Sequence, residues 1–181
     1  IGIGAFNLIR ADVYRAIGTH QAIAMRPDDD LKLGKLVKKY NYHQDFLLGK
    51  DLIFVEWYSS TNELIRGLEK NSYAGVEYRF FTVILATLTQ FVFFVLPFFA
   101  VFMTRGWTQL FYGLVVAMLL NICFYAARNH NLKIRYIFAF PIGVLLFIFI
   151  LWRSTLLTIW KDGIDWRDTH YSLKELKANK V

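Results

Sequence analysis

Two long stretches without a charged residue constrain this chain more than any other feature. Residues 80–104 make one stretch of 25 residues, and residues 106–127 make another of 22. A helix that crosses the hydrocarbon core of a bilayer needs about 20 apolar residues. Both stretches are therefore predicted to be membrane helices. A chain that is 56% hydrophobic and 18% aromatic is not expected to be an ordinary soluble domain.

A third uncharged stretch, residues 136–152, is a weaker candidate for a crossing. It has 17 residues and contains Pro141 and Gly143. Irregular backbone of this kind is tolerated in segments that dip into a membrane and return. The sequence therefore predicts a membrane region over residues 80–152 whose third segment is either a full crossing or re-entrant.

The basic residues predict an orientation. The connection at residues 104–107 has one Arg, whereas the connection at 128–135 has Arg128, Lys133 and Arg135. Basic loops stay in the cytoplasm, which places the second connection and residues 1–79 there. The tail, residues 153–181, has six basic residues and favours the same side, although three full crossings would put it outside. We expect a cytoplasmic tail and a third segment that does not cross fully.

The distribution of charge also separates two parts of the chain. Residues 1–79 carry 11 basic and 10 acidic side chains, and residues 80–181 carry 10 and 4. This split favours a soluble part fused to a membrane part and argues against a nucleic-acid partner. The lone Cys123 excludes a disulfide framework and a cysteine zinc site. The first residues lack the features of a signal peptide, and we expect the chain to be the C-terminal part of a longer protein.

The soluble part is predicted to alternate strands and helices, which indicates an α/β layer. Hydrophobic spacing and turn residues predict, in order, a strand at residues 3–10, a helix at 11–17, an amphipathic helix that begins at 28–30, a strand at 51–57 and a helix at about 61–78. The last helix opens with the capping-box spacing of Ser60 and Glu63. Because it leads into the first apolar stretch, we expect it to lie on the membrane surface.

The strongest candidate for chemistry is the run Asp28, Asp29 and Asp30. Carboxylates held at a helix start suit a general base for a hydroxyl nucleophile. The alternative is a structural role, since acidic residues commonly cap helices and complement the helix dipole. Among the four histidines, His20 is the one expected near the aspartates, because it follows the turn at Gly18. In the tail, Trp166 and Tyr171 suit either membrane anchoring or ligand binding, and Arg167 suits a phosphate or a carboxylate.

Together these residues resemble the C-terminal part of a membrane-bound family 2 glycosyltransferase, in the lipid-glycosylating branch that includes ceramide glucosyltransferases. The resemblance implies the C-terminal part of an α/β domain of the GT-A type, followed by an all-α transmembrane region. It implies that Asp30 is the catalytic base and that Asp29 takes the place usually held by Glu. The family's Gln-x-x-Arg-Trp motif corresponds to residues 67–71, where Lys70 keeps a basic residue but Gln and Trp are absent. This departure favours addition of a single sugar over processive synthesis.

The resemblance further implies roles for the tail and for groups outside this chain. Trp166, Arg167 and Tyr171 match tail residues of the ceramide glucosyltransferases and are expected, with His20 and Lys70, to bind the acceptor. The expected partners are the lipid bilayer, a nucleotide sugar and a lipid acceptor, and the expected location is a bacterial plasma membrane with the catalytic part in the cytoplasm. A divalent metal, Mg or Mn, is implied through the missing N-terminal half and no metal site in this chain. Without that half the chain alone is expected to be inactive.

Two further classes of protein compete with this interpretation. A non-enzymatic membrane scaffold would use its soluble part to dock a partner. A transporter or channel is disfavoured because the three apolar stretches contain no ionisable side chain to line a path.

Overall fold

The computed structural model describes residues 6–24, 29–47, 49, 52, 55–166 and 169–178. The chain divides into two compact units. Unit 1 comprises Ile1–Tyr78 together with Ser154–Val181, and unit 2 comprises Arg79–Arg153. The tail therefore folds with the N-terminal residues.

A small apolar core forms around the second helix of unit 1. Helix α1 (Ala11–Ala16) ends before Gly18, whose φ of +87° suits a residue without a Cβ, and a 3-10 turn (His20–Ile23) follows. Helix α2 (Asp29–Lys39) has acidic residues in its first turn and lysines in its last, which complements the helix dipole. The buried residues of this core are Ile17, Ile23, Leu33, Leu36 and Val37.

Helix α3 (Thr61–Gly75) begins at the predicted cap. The Ser60 hydroxyl accepts a hydrogen bond from the Glu63 backbone N–H at 3.2 Å. In return, Glu63 Oε2 accepts from the backbone N–H and the hydroxyl of Ser59, at 2.9 and 2.6 Å. The Ser60 side chain thus satisfies a donor of the first turn, as the sequence spacing predicts, while Glu63 binds Ser59, the residue before the cap, rather than the Ser60 N–H.

The C-terminal part of unit 1 starts in the last turns of helix α7 (Phe140–Trp160). Strands β1 (Gly163–Trp166) and β2 (Thr169–Ser172) form an antiparallel pair that aligns Ile164 with Tyr171, and the short helix α8 (Leu173–Ala178) follows. Ile164 and Leu176 are buried. The tail therefore has a folded structure of its own.

The end of α7 joins α3 through one buried hydroxyl. Ser154 Oγ accepts from the Tyr73 backbone N–H at 3.1 Å and donates to the Glu69 carbonyl. Residues 73 and 69 are the pair that an α-helix normally bonds to each other. The Ser154 side chain is therefore inserted into a turn of α3.

Unit 2 consists of apolar helices. Helix α4 (Phe80–Gln90) continues through a π-helical segment (Phe91–Val95) into α5 (Leu96–Met103), and α6 (Gly106–Asn129) and a 3-10 segment (Ile134–Ala139) precede α7. The π-helical segment lies next to Pro97, which has no N–H to continue an α-helical ladder.

Aromatic contacts show that α7 runs antiparallel to the first apolar helix. The Trp152 ring meets that of Phe80 at 5.7 Å, and its indole N–H donates to Thr87 Oγ1 at 2.9 Å. Phe140, at the other end of α7, packs against Phe94 and Phe98. A hydrogen bond bridges the connection from α5 to α6: the Gln109 side-chain amide donates to the Val101 carbonyl.

Three helical stretches of the described residues are long and apolar enough to cross a membrane. They are Phe80–Met103, Gly106–Asn129 and Ile134–Trp160. The third is longer than its uncharged run because α7 continues past Arg153.

The prediction of an α/β fold with part of a GT-A domain is wrong. The described residues are mostly helical, and their one sheet has two strands. Residues 6–10 and 55–57 form no strand. Of the other residues in the two predicted strands, residue 52 is described on its own, and residues 3–5, 51, 53 and 54 lie outside the described residues. A strand forms only when a neighbour accepts its backbone hydrogen bonds, and a short apolar run does not show whether one exists.

Candidate functional site

The two predicted catalytic carboxylates lie at the start of α2. Asp29 Oδ1 accepts from the Asp30 backbone N–H at 2.9 Å, and Asp30 Oδ1 accepts from the Leu31 N–H at 2.7 Å. Both aspartates are half-buried. One oxygen of each carboxylate accepts a backbone hydrogen bond at the helix start, and the second oxygen takes no part in these two bonds. Asp28 lies outside the described residues.

An ion pair between a buried lysine and a partly buried glutamate holds the next turn of this helix. The Lys32 side chain is 1% exposed, and its Nζ lies 2.6 Å from Glu77 Oε1. Lys35 Nζ lies 2.8 Å from the same oxygen. Burial raises the pKa of Glu77, but the hydrogen bonds and charges of Lys32 and Lys35 outweigh it and lower the pKa from 4.5 to about 2.

This ion pair joins a residue near the acidic start of α2 to a residue that precedes the first apolar helix in the chain. Glu77 precedes Phe80, where α4 begins, by three residues. Lys32 follows Asp30 by two residues. Sequence reasoning missed the pair, because four lysines surround α2 and nothing local marks the one that is buried.

His20 is exposed and is held by a tyrosine of the preceding helix. Its Nδ1 lies 2.5 Å from the Tyr14 hydroxyl, which also accepts from the His20 backbone N–H. Ile23, in the same 3-10 turn, packs in the core with Leu33 of α2. Among the described residues no hydrogen bond or ion pair joins His20 to either aspartate, so the turn is near α2 but the imidazole is engaged elsewhere.

Lys70 lies in a groove along the first turns of α3. The groove has a volume of about 470 Å³ and is lined by Tyr58, Ser60, Asn62, Glu63, Arg66, Gly67 and Lys70. The Tyr58 ring packs so closely on Gly67 that a Cβ at this position has no room. Arg66 and Lys70 are exposed, and neither forms an ion pair with another described residue. Two cations beside an aromatic wall suit an anionic group such as a phosphate.

The tail residues lie in the β1–β2 pair. Trp166 is the last residue of β1, opposite Thr169, and Tyr171 is half-buried in β2 opposite Ile164. Arg167 lies outside the described residues. Sequence reasoning missed the exposed cluster beside them, in which Asp165 contacts His170 Nδ1 at 2.8 Å and Lys161 Nζ at 3.2 Å. The hydrogen bond from His170 is the main cause that lowers the pKa of Asp165.

Metal-binding groups do not assemble in the described ranges. No three His, Cys, Asp or Glu side chains there come close enough to share an ion. The divalent metal implied by the glycosyltransferase resemblance remains a prediction about residues outside this chain.

Comparisons of the chain with protein-family models, with curated proteins and with solved structures gave no match.

Proposed function

We propose that this chain is the membrane-proximal part of a glycosyltransferase that transfers a sugar from a nucleotide sugar to a lipid acceptor. One observation carries the proposal. The half-buried carboxylates of Asp29 and Asp30 lie at the start of a helix that the Lys32–Glu77 ion pair ties to the entrance of an apolar helix. Because Glu77 precedes the first apolar helix by three residues in the chain, an acceptor that is itself a membrane lipid with a free hydroxyl suits this acidic pair.

The proposed reaction inverts the configuration of the sugar. Asp30 takes the proton of the acceptor hydroxyl while that oxygen attacks the anomeric carbon. The bond from this carbon to the diphosphate breaks, and its electron pair leaves with the nucleoside diphosphate. Asp29 supports the position of Asp30 through the hydrogen bond from the Asp30 N–H to Asp29 Oδ1.

Further residues are assigned to acceptor binding in this proposal. Arg66 and Lys70 of the α3 groove bind an anionic part of the lipid headgroup, and His20 contributes from the turn beside α2. Trp166, Arg167 and Tyr171 are assigned to the acceptor through the resemblance. The donor and its divalent metal would be bound by residues outside this chain, and no step here is assigned to the metal.

The proposed location is the plasma membrane of a bacterium, with unit 1 in the cytoplasm, where nucleotide sugars are made. Three candidate membrane helices support a membrane location. The basic residues of the 128–135 connection and of the tail support the cytoplasmic side.

The decisive experiment compares Asp30→Asn with the parent in the full-length protein that carries this chain. Membranes are given labelled nucleotide sugars and a lipid extract, and label in lipid is counted. The Asn side chain has nearly the same shape as Asp and keeps an oxygen that can accept from the Leu31 N–H, so the variant is expected to keep α2. We expect a loss of about 10²- to 10⁴-fold in rate, the usual contribution of a positioned base.

The matched control is Asp45→Asn, an exposed aspartate beside His43 in the same unit, which should leave the rate unchanged. A near-parent rate for Asp30→Asn would refute the assignment of the base. If the membrane-inserted parent protein transfers label to lipid from none of the nucleotide sugars, the result favours the scaffold interpretation instead. That interpretation expects changes at the half-buried Leu64 and Leu68 of α3 to abolish co-purification of a partner.

A further inference from the structure

We propose that two copies of this chain pair in the membrane through helix α6, with Asn121 of each copy at the contact. Among the described residues, α6 is the least covered of the three candidate membrane helices. Only 6% of its most apolar stretch is buried within the protein, against 22% and 17% for the other two. Helix α6 therefore presents nearly its whole surface to its surroundings.

Asn121 places an exposed carboxamide in this apolar helix. It precedes the helix end at Asn129 by eight residues, which is about 12 Å of a helix about 36 Å long. This depth lies inside a hydrocarbon core of about 30 Å. No hydrogen bond or ion pair joins the Asn121 side chain to another described residue. Because lipid tails offer an amide no partner, its hydrogen bonds have to come from another molecule.

The residues around Asn121 form an apolar face of α6, which we call the Asn121 face. Side chains three or four positions apart share one side of a helix. The face therefore comprises, besides Asn121, the exposed residues Leu110, Leu114, Ala117, Met118 and Tyr125. The small side chain of Ala117, one turn before Asn121, allows a second helix to approach closely. Arg128, on the same side, lies at the helix end, where headgroups and water solvate its charge.

A second copy of the chain is the partner whose chemistry fits this face. A carboxamide has both a donor and an acceptor, so two Asn121 side chains related by a twofold axis satisfy each other through two reciprocal N–H to C=O bonds. Copies inserted in the same direction bring Asn121 to the same depth. A different partner would need a polar group of its own at that depth in the hydrocarbon, where such groups are rare.

Gln90 provides a matched comparison within the same unit. It is also a carboxamide in an apolar helix, and no hydrogen bond joins its side chain to another described residue. Gln90 is half-buried, whereas Asn121 is exposed. The difference in burial favours Asn121 as the amide that meets a partner.

Association is measured with the purified full-length protein in vesicles of one neutral phospholipid, so that no other protein is present. Copies that carry a donor or an acceptor fluorophore are mixed, and energy transfer is followed as the ratio of lipid to protein rises. We expect the parent to dimerise and Asn121→Leu to associate about 3- to 30-fold more weakly, the range for a hydrogen-bonded contact between membrane helices. Asn121→Gln keeps an amide and should retain most of the association, and Gln90→Leu should match the parent.

Cross-linking locates the contact on the helix. In the full-length protein without its other cysteines, Ala117→Cys is combined with Cys123→Ser, and the membranes are treated with an oxidant. The matched control keeps Cys123 alone, which lies roughly 160° around α6 from Asn121. We expect a disulfide-linked dimer through position 117 and far less through Cys123.

Parent-like association of Asn121→Leu would overturn the proposal, and so would a parent that stays monomeric at every ratio of lipid to protein. An equal loss for Gln90→Leu, or equal cross-linking through Cys123, would place the contact off the Asn121 face and would overturn it too. Leu favours insertion of a membrane helix, so weaker association of Asn121→Leu does not reflect failed insertion.

Discussion

Lys32 Nζ and Glu77 Oε1 lie 2.6 Å apart although 45 residues separate them in the chain. The lysine is 1% exposed and the glutamate side chain 31%. This contact joins the helix that carries the candidate base to the residues that precede the first apolar helix. Its loss is expected to affect stability and activity together.

The two lysines that share Glu77 should differ in their contribution to stability. Lys32→Ala removes the buried partner of Glu77 and leaves a buried space, and we expect a cost of about 1–3 kcal/mol in the free energy of unfolding. Lys35 is 56% exposed, so Lys35→Ala should cost less than about 1 kcal/mol. Denaturant unfolding in detergent, followed by the signal of unit 1, checks the difference. Equal costs would contradict the assignment of Lys32 as the buried partner.

The Glu77 pKa of about 2 predicts a loss of stability in acid. The folded value is lower than the ordinary 4.5, so the stabilisation is fully present above pH 4.5 and is lost as the pH falls toward 2. The melting temperature of the parent should fall across this window. Glu77→Gln should be less stable at neutral pH and show a flatter curve. A parallel fall in both proteins would assign the acid sensitivity to other groups.

Alanine substitutions at the two glycines of α3 should have opposite effects on stability, because Tyr58 packs closely on Gly67 and nothing packs on Gly75. Gly67→Ala must displace the tyrosine ring, and we expect a cost of about 1–3 kcal/mol and a changed groove. The control is Gly75→Ala, where a Cβ meets nothing within 4 Å and the better helix propensity of Ala should stabilise by up to about 1 kcal/mol. Thermal unfolding measures both. Tyr58→Ala should relieve the effect of Gly67→Ala, and failure to do so would exclude the clash as its cause.

The cations of the α3 groove should act on the acceptor under the proposed function. Arg66→Ala and Lys70→Ala each remove one exposed charge from the groove, and we expect a several-fold higher KM for the lipid with kcat little changed. Lys39→Ala, an exposed lysine at the end of α2, serves as the control. A fall in kcat at unchanged KM would place the two cations outside acceptor binding.

Local features of the fold were predictable, since their causes lie within a few residues. The cap of α3 by the Ser60 hydroxyl, the helix end before Gly18 and the apolar spacing of α2 are confirmed. The strand expected at residues 55–57 and the GT-A fold were wrong, because a strand depends on a partner elsewhere in the chain. Of the candidate site, the position of Asp29 and Asp30 at a helix start was predictable, and the groove around Lys70 was not.

The sequence alone determined where this chain is apolar, where its helices α2 and α3 begin and which residues are candidates for chemistry. These properties depend on hydropathy and on capping between near neighbours. Tertiary structure decided which lysine of α2 is buried against Glu77, that Ser154 enters a turn of α3 and that the tail folds with the N-terminal residues. Each of these relationships joins side chains many residues apart, and their energies depend on desolvation and geometry that no local pattern encodes.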